Sequence, residues 1–209
     1  MPLAFKIQHD SETTVYVWEI TEALEELMAL VALRPESEVR FAGMKSEAHR
    51  RGFLSVRMLL LEAGYTDFDL YYDESGKPHL RDGSFISITH SFEYAGIIIS
   101  SKNVGIDIEM QREKIERIAS KFSNVRELDG LSSVSSERIR ELTVIWGAKE
   151  AMYKMCNSRS LSFKRDMEVM PFDLLDKSGS SVVRSNCGYQ ADFTFWFIEL
   201  NGFTVVYAV

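Results

Sequence analysis

Gly105-Ile106-Asp107-Ile108-Glu109 is the stretch on which the reading of this chain turns. A strand repeats its side-chain direction every second residue. As a strand, the stretch puts Asp107 and Glu109 on one face and sends Ile106 and Ile108 into a core on the other. Residues two apart on one face lie about 6.6 to 7 Å apart, close enough for two carboxylates to share one hard cation. Like charges at that separation repel, and a cation between them relieves the repulsion. Taken alone, the stretch fits a cation site or a solvated edge strand with two acids.

The sequence downstream adds a third carboxylate. Glu137 to Met155 reads as a long helix, with Ile145, Ala148, Met152 and Met155 at helical spacing on its packed face. Trp146, Glu150 and Lys154 are four residues apart and share another face. Trp146 reads as a packing residue. Lys149 fits a salt-bridge partner and a catalytic cation equally, and Lys154 fits a functional cation or a simple partner of Glu150. Before this helix, Lys114 to Phe122 reads as a shorter helix, and Asp129 to Ser136, rich in Ser and Gly, as a loop. After it the chain is β: Phe163 to Met170, Ser181 to Arg184, Phe193 to Glu199 and Phe203 to Val209. Asn201-Gly202 marks a hairpin turn between the last two.

Upstream, Thr13 to Ile20 is a β-branched and aromatic strand. Thr21 reads as the N-cap of a helix carrying Leu24, Leu27, Met28 and Val31, ended by Pro35. Lys45 to Ala63 is a second helix, with Phe53, Val56, Leu60 and Ala63 as its apolar stripe. Its Lys45, His49, Arg50, Arg51 and Arg57 form a basic cluster, read as a phosphate-binding patch or as a solvated face. Gly64 closes it. Leu70 to Tyr72 is a short strand, and Asp73 to Pro78 a turn that holds Lys77 near its tip. Phe85 to Ile88 is a strand leading into Thr89-His90-Ser91, and Tyr94 to Ser100 is a buried strand.

The chain has 209 residues, 45% hydrophobic and 26% charged, an ordinary globular balance with room for a sizeable core. The formal net charge of -7 argues against a general nucleic-acid binder, which needs a basic surface. Cys156 and Cys187 do not make a disulfide framework and read as reduced thiols. The N-terminus lacks a signal-peptide layout, and no apolar run is long enough to cross a bilayer, so the expected setting is cytoplasmic, away from membranes. The element order predicts an α+β protein of two similar lobes in pseudo-twofold arrangement, each a long helix packed on a small antiparallel sheet. The polar turn Ser100-Ser101-Lys102-Asn103 divides them, giving an N-terminal lobe over 1–102 and a C-terminal lobe with the metal site over 103–209. Three carboxylates with lysines nearby suit Mg²⁺ bound to a di- or polyphosphate, because Mg²⁺ keeps waters and shares itself between protein acids and substrate phosphates.

Val104-Gly105-Ile106-Asp107-Ile108-Glu109, followed by Trp146-Gly147-Ala148-Lys149-Glu150-Ala151-Met152-Tyr153-Lys154, resembles the paired signatures of the 4′-phosphopantetheinyl transferase superfamily. Gly76-Lys77-Pro78 and Ile88-Thr89-His90-Ser91 are similar to the two upstream motifs of its surfactin-synthetase-activating type, which is a monomer of two lobes. The resemblance runs from about Lys45 to Lys154, and Val205 to Val209 fits the family's closing strand. It implies transfer of the phosphopantetheine arm of coenzyme A to a serine of an apo acyl or peptidyl carrier protein, with release of adenosine 3′,5′-bisphosphate. By position, Asp107, Glu109 and Glu150 would hold Mg²⁺, with Mn²⁺ as an alternative. Glu150 would also serve as the base toward the serine, and Lys154 would neutralise the diphosphate. His90 and Thr89 would bond phosphate oxygens of coenzyme A, Lys77 the nucleotide's phosphates, and Lys45 and Arg50 the 3′-phosphate. Arg57 fits a structural pair with an acid instead. A non-catalytic relative that binds coenzyme A or a carrier, and a metal-dependent phosphohydrolase, use the same residues. Two departures stand out: Thr89 replaces the usual serine, and Asn157 to Ser162 lacks the glycines of the family's Gly-Lys-Gly-Leu-Ser segment.

Overall fold

In the computed structural model, which describes residues 3–156, 160–185 and 188–209, the chain divides into two compact units, Met1–Asn103 and Val104–Val209. Both are helix against antiparallel sheet, so the protein is α+β. Cys187 and the Asn157–Arg159 part of the glycine-poor segment lie outside the described residues.

The N-terminal unit runs β1 (Leu3–Gln8), β2 (Thr14–Glu19), α1 (Leu24–Leu30), α2 (Pro35–Ala42), α3 (Glu47–Glu62), β3 (Leu70–Tyr72), β4 (Pro78–Leu80), β5 (Phe85–Ser91) and β6 (Tyr94–Ser100). Its main sheet has the order β1-β2-β6-β5, and β3 and β4 form a small hairpin. Trp18, Leu27, Phe53, Leu60 and Ile97 share one core, formed by α1, α3 and one face of the sheet. Pro35 does not end a helix, as the sequence predicts, but opens α2. Proline lacks an N–H and has a fixed φ, and that suits a first helical turn as well as it forbids a middle one. The cap of α1 is Ala23 rather than Thr21, and the Glu26 carboxylate accepts from the Ala23 N–H at 2.9 Å.

The predicted basic face of α3 is largely taken up by the fold. Arg51 donates from Nε to Glu22 O at 2.9 Å and from Nη2 to Ile20 O at 2.8 Å. Arg57 is buried, donates to Asp67 Oδ1 at 2.9 Å and lies 3.5 Å over the Phe53 ring. Arg57 is therefore the structural pair, not part of an exposed patch. Asp67 also accepts from Arg34 N and Ser37 Oγ, so one carboxylate joins α3 to the start of α2.

The C-terminal unit runs β7 (Gly105–Met110), α4 (Lys114–Phe122), α5 (Val125–Asp129), α6 (Ser135–Cys156), β8 (Met167–Val169), β9 (Ser178–Arg184), β10 (Gln190–Leu200) and β11 (Phe203–Ala208). The sheet order is β7-β11-β10-β9-β8, which leaves β7 at an edge. Asn201 and Gly202 both have positive φ, 48° and 78°, as a tight two-residue hairpin turn requires. The strand predicted from Phe163 begins only at Met167. Asp166 instead closes a local turn, accepting from Ser162 N at 2.7 Å. Helix α5, unassigned from the sequence, is announced by a capping box in which Asn124 and Glu127 bond each other's backbone N–H.

Lys149 is fully buried, and its ammonium donates to Glu127 Oε2 at 2.7 Å, Phe122 O at 2.8 Å and Phe163 O at 3.0 Å. Of its two sequence readings, the structure selects the ion pair. Glu127 Oε1 accepts from Val169 N at 2.8 Å, so this pair knits α5, α6, β8 and the end of α4 together. Removing one partner of such a pair strands a buried charge, at a cost of about 3–5 kcal/mol.

Helix α6 lies directly on β7 because two glycines let it. A Cβ on Gly105 would fall 2.1 Å from Ala151 O, and one on Gly147 would fall 2.6 Å from Val206 Cγ2. The first clash is with backbone and cannot be relieved by a rotamer. Gly105→Ala should therefore lower stability by about 3 kcal/mol or more in urea denaturation, beyond the usual cost of overpacking. A variant within 1 kcal/mol of the parent, about the centre for point substitutions generally, would show that the helix can lift off the strand at little cost.

Candidate active site

The side chains singled out in the C-terminal unit come from β7 and α6. Val206 on β11 pairs with Asp107 and also meets Gly147, while Ala151 sits over Gly105. One turn of α6 thus passes β7 from the level of Asp107 to that of Gly105. Asp107 and Glu109 point toward the helix, and Ile106 and Ile108 are buried on the opposite face. The acids do not form a solvated edge: Asp107 is buried and Glu109 is partly so.

Lys154 reaches back along the helix to donate to Ile106 O at 2.6 Å and Asp107 Oδ1 at 2.9 Å. Glu109 Oε1 accepts from the Trp146 indole N–H at 3.2 Å. Spacing along a helix gives no clue to such a partner on a distant strand. Trp146 also packs, edge-on to Phe122 with ring centroids 5.0 Å apart and tilted against Phe163 at 5.4 Å. Beside it opens a cleft of about 480 Å³, walled by Ile118, Phe122, Trp146 and Phe163, with Lys114 and Lys121 on its lip.

Burial and mutual repulsion set the electrostatics. Desolvation pushes the Glu150 carboxyl up to about 7, and the charges of Asp107 and Glu109 add to the effect while Lys154 opposes it. Glu109 is also raised, first by burial and then by the charge of Asp107. Among the described residues, no three His, Cys, Asp or Glu side chains converge closely enough to grip an ion unaided. As a donor set, however, carboxylate oxygens without thiolate or imidazole suit Mg²⁺ or Mn²⁺, which complete their shells with water and substrate phosphate.

The residues singled out in the N-terminal unit are less gathered. Lys45 is exposed and precedes α3. Arg50 donates from Nε to Met44 O at 2.9 Å and lies 5.1 Å over the Phe41 ring. Lys77 follows Gly76, whose φ is +83°, at the β3–β4 turn, and its ammonium is 3.4 Å from Asn103 Oδ1. Thr89 and His90 fall within β5, so their side chains leave on opposite faces. His90 is exposed, lies against Gly52 of α3, and has its ring 6.0 Å from that of His49.

The model of the 4′-phosphopantetheinyl transferase superfamily matches residues 103–208, just over half of the 209. The chain belongs to that superfamily. Enterobactin synthase component D of Salmonella typhi is 31% identical over 133 residues, which cover 62% of this chain and 56% of that protein. The chain thus spans little more than half the length of this relative.

The Glu150 shift has a measurable consequence. Its folded-state pKa of about 7 stands above the ordinary 4.5, so the folded protein holds this proton more tightly than the unfolded chain. The resulting stability is complete below the unfolded value and is lost as pH rises through the folded one. In metal-free buffer with a chelator, Glu150→Gln should match the parent near pH 4 and melt higher than it at pH 8. Parallel melting curves across that range would remove the charge repulsion assigned to Glu150.

Proposed function

We propose that this chain transfers the 4′-phosphopantetheine arm of coenzyme A to a serine hydroxyl of an acyl or peptidyl carrier protein and releases adenosine 3′,5′-bisphosphate. The observation that carries this reading is the meeting of Asp107 and Glu109 on β7 with Glu150 and Lys154 on α6, where Glu150 feels both other carboxylates. Asp107, Glu109 and Glu150 would hold Mg²⁺, which supplies charge neutralisation and in-line orientation of a diphosphate when bound. Glu150 accepts the serine proton at its carboxylate, and a pKa raised toward neutrality suits a general base. Lys154 places its ammonium against the charge that builds on the leaving phosphate. In the resting state it screens Asp107. Lys77, Thr89, His90, Lys45 and Arg50 would bind the phosphates of coenzyme A.

The same carboxylates suit two other activities, and one assay separates all three. The protein is incubated with coenzyme A, Mg²⁺ and apo carriers from fatty-acid and peptide synthetases, and the products are weighed by mass spectrometry. Transfer adds about 340 Da to a carrier, the mass of the arm that coenzyme A supplies. Hydrolysis of coenzyme A without a carrier would mark a phosphohydrolase, and binding without turnover a non-catalytic relative. Asp107→Ala and Glu150→Ala should each abolish transfer, a loss of at least about a thousandfold, of the order seen when an electrostatic stabiliser is removed. Their circular dichroism should stay that of the parent. Near-normal turnover by either variant would remove that residue from the site.

A further inference from the structure

Trp146 makes one contact that packing alone does not account for. Its indole N–H, a donor with no acceptor capacity, is directed at Glu109 Oε1 at 3.2 Å. Its ring is fixed from two sides by Phe122 and Phe163. The backbone carbonyls of those two residues are both held by the Lys149 ammonium, at 2.8 and 3.0 Å. Lys149 is three residues after Trp146 on α6, so the helix that carries the indole also anchors the walls that orient it. The direction of the N–H is therefore set by buried structure, and Glu109 is the group it reaches. Glu109 stands two residues from Asp107 on the same strand face, where repulsion favours turning one carboxylate away. A fixed donor on one carboxylate oxygen opposes that rotation and leaves the carboxylate's second oxygen for a ligand.

We propose that Trp146 is a positioning residue: its indole N–H holds the Glu109 carboxylate in the orientation that accepts the divalent cation, before the cation arrives. This rests on the cation assignment made above for Asp107, Glu109 and Glu150. Hydrogen-bond partners of ligating carboxylates typically account for 10- to 100-fold in metal affinity.

The test titrates Mn²⁺ into the protein with coenzyme A present and reads the free ion by electron paramagnetic resonance, against a blank of coenzyme A alone. Trp146→Phe keeps a ring in the slot and deletes the N–H; it should weaken Mn²⁺ binding about tenfold or more. Replacing Trp146 by its benzothiophene analogue, which has the same shape without the N–H, should give the same loss and covers the case in which the Phe variant folds poorly. Phe163→Leu loosens the slot but keeps the N–H, and should bind Mn²⁺ within a factor of about three of the parent, well short of the tenfold loss. Parent-like affinity in the benzothiophene protein overturns the proposal and leaves the cation assignment standing. A loss in Phe163→Leu equal to that in the benzothiophene protein, with the indole N–H proton still at its hydrogen-bonded NMR shift, also overturns it, because packing and not the N–H would then be the cause. If the parent binds no Mn²⁺, or Glu109→Ala binds it as tightly as the parent, the cation assignment fails and the proposal falls with it.

Discussion

The carbonyl oxygen of Ala151 occupies the space that a side chain on residue 105 would need. Backbone of α6 and backbone of β7 touch there, with no side chain between them. A helix normally packs on a sheet through a layer of side chains, and that layer would hold its polar groups away from the strand. Here the layer is missing at two points, Gly105 and Gly147. Residues flanking those points, Trp146 and Glu150, are thereby brought to the level of Glu109 and Asp107. The site follows from this contact, and the contact follows from the absence of two methyl groups.

Close approach has an electrostatic cost. Three carboxylates share a partly desolvated space, and burial with mutual repulsion raises Glu150 and Glu109. Lys154 opposes this from its bonds to Asp107 and to the Ile106 carbonyl, and the charge of Arg112 also favours the ionised form of Glu109. Lys149, five residues before Lys154, plays no part in this balance. Five residues turn a helix by well over a third of a circle, so Lys149 points inward to Glu127 while Lys154 points along β7. Two lysines on one helix thus do different work, one holding the fold and one tempering the acids. The repulsion that remains among the acids is of the kind a cation between them relieves.

How much of this was legible beforehand varies residue by residue. Asp107 and Glu109 on one strand face follow from a period of two, and Asn201-Gly202 as a tight turn follows from the rarity of positive φ. The α2 helix is hidden in the sequence because Pro35 fits a helix end and a helix start equally well. The short β8 is narrower than its sequence pattern, because Phe163 and Met170 look like strand residues while Asp166 commits the preceding chain to a turn. Arg57 and Arg51 looked like members of a basic patch because charge on a helix carries no label saying whether a carboxylate or a carbonyl waits opposite. Asp67, ten residues on, and the carbonyls of Ile20 and Glu22 decide that.

The sequence by itself determined the elements on which these acids and lysines stand. Periodicity and turn residues are local properties, so strand β7, helix α6, the final hairpin and the shared strand face of Asp107 and Glu109 were readable. Tertiary structure alone decided which groups meet. It assigned Lys149 to Glu127 rather than to the site, gave the Trp146 indole to Glu109, and raised the Glu150 carboxyl by burial among like charges. Those outcomes depend on distances between residues about 20 to 40 apart in the chain, and contacts at such separations are fixed by packing, which a linear pattern does not encode.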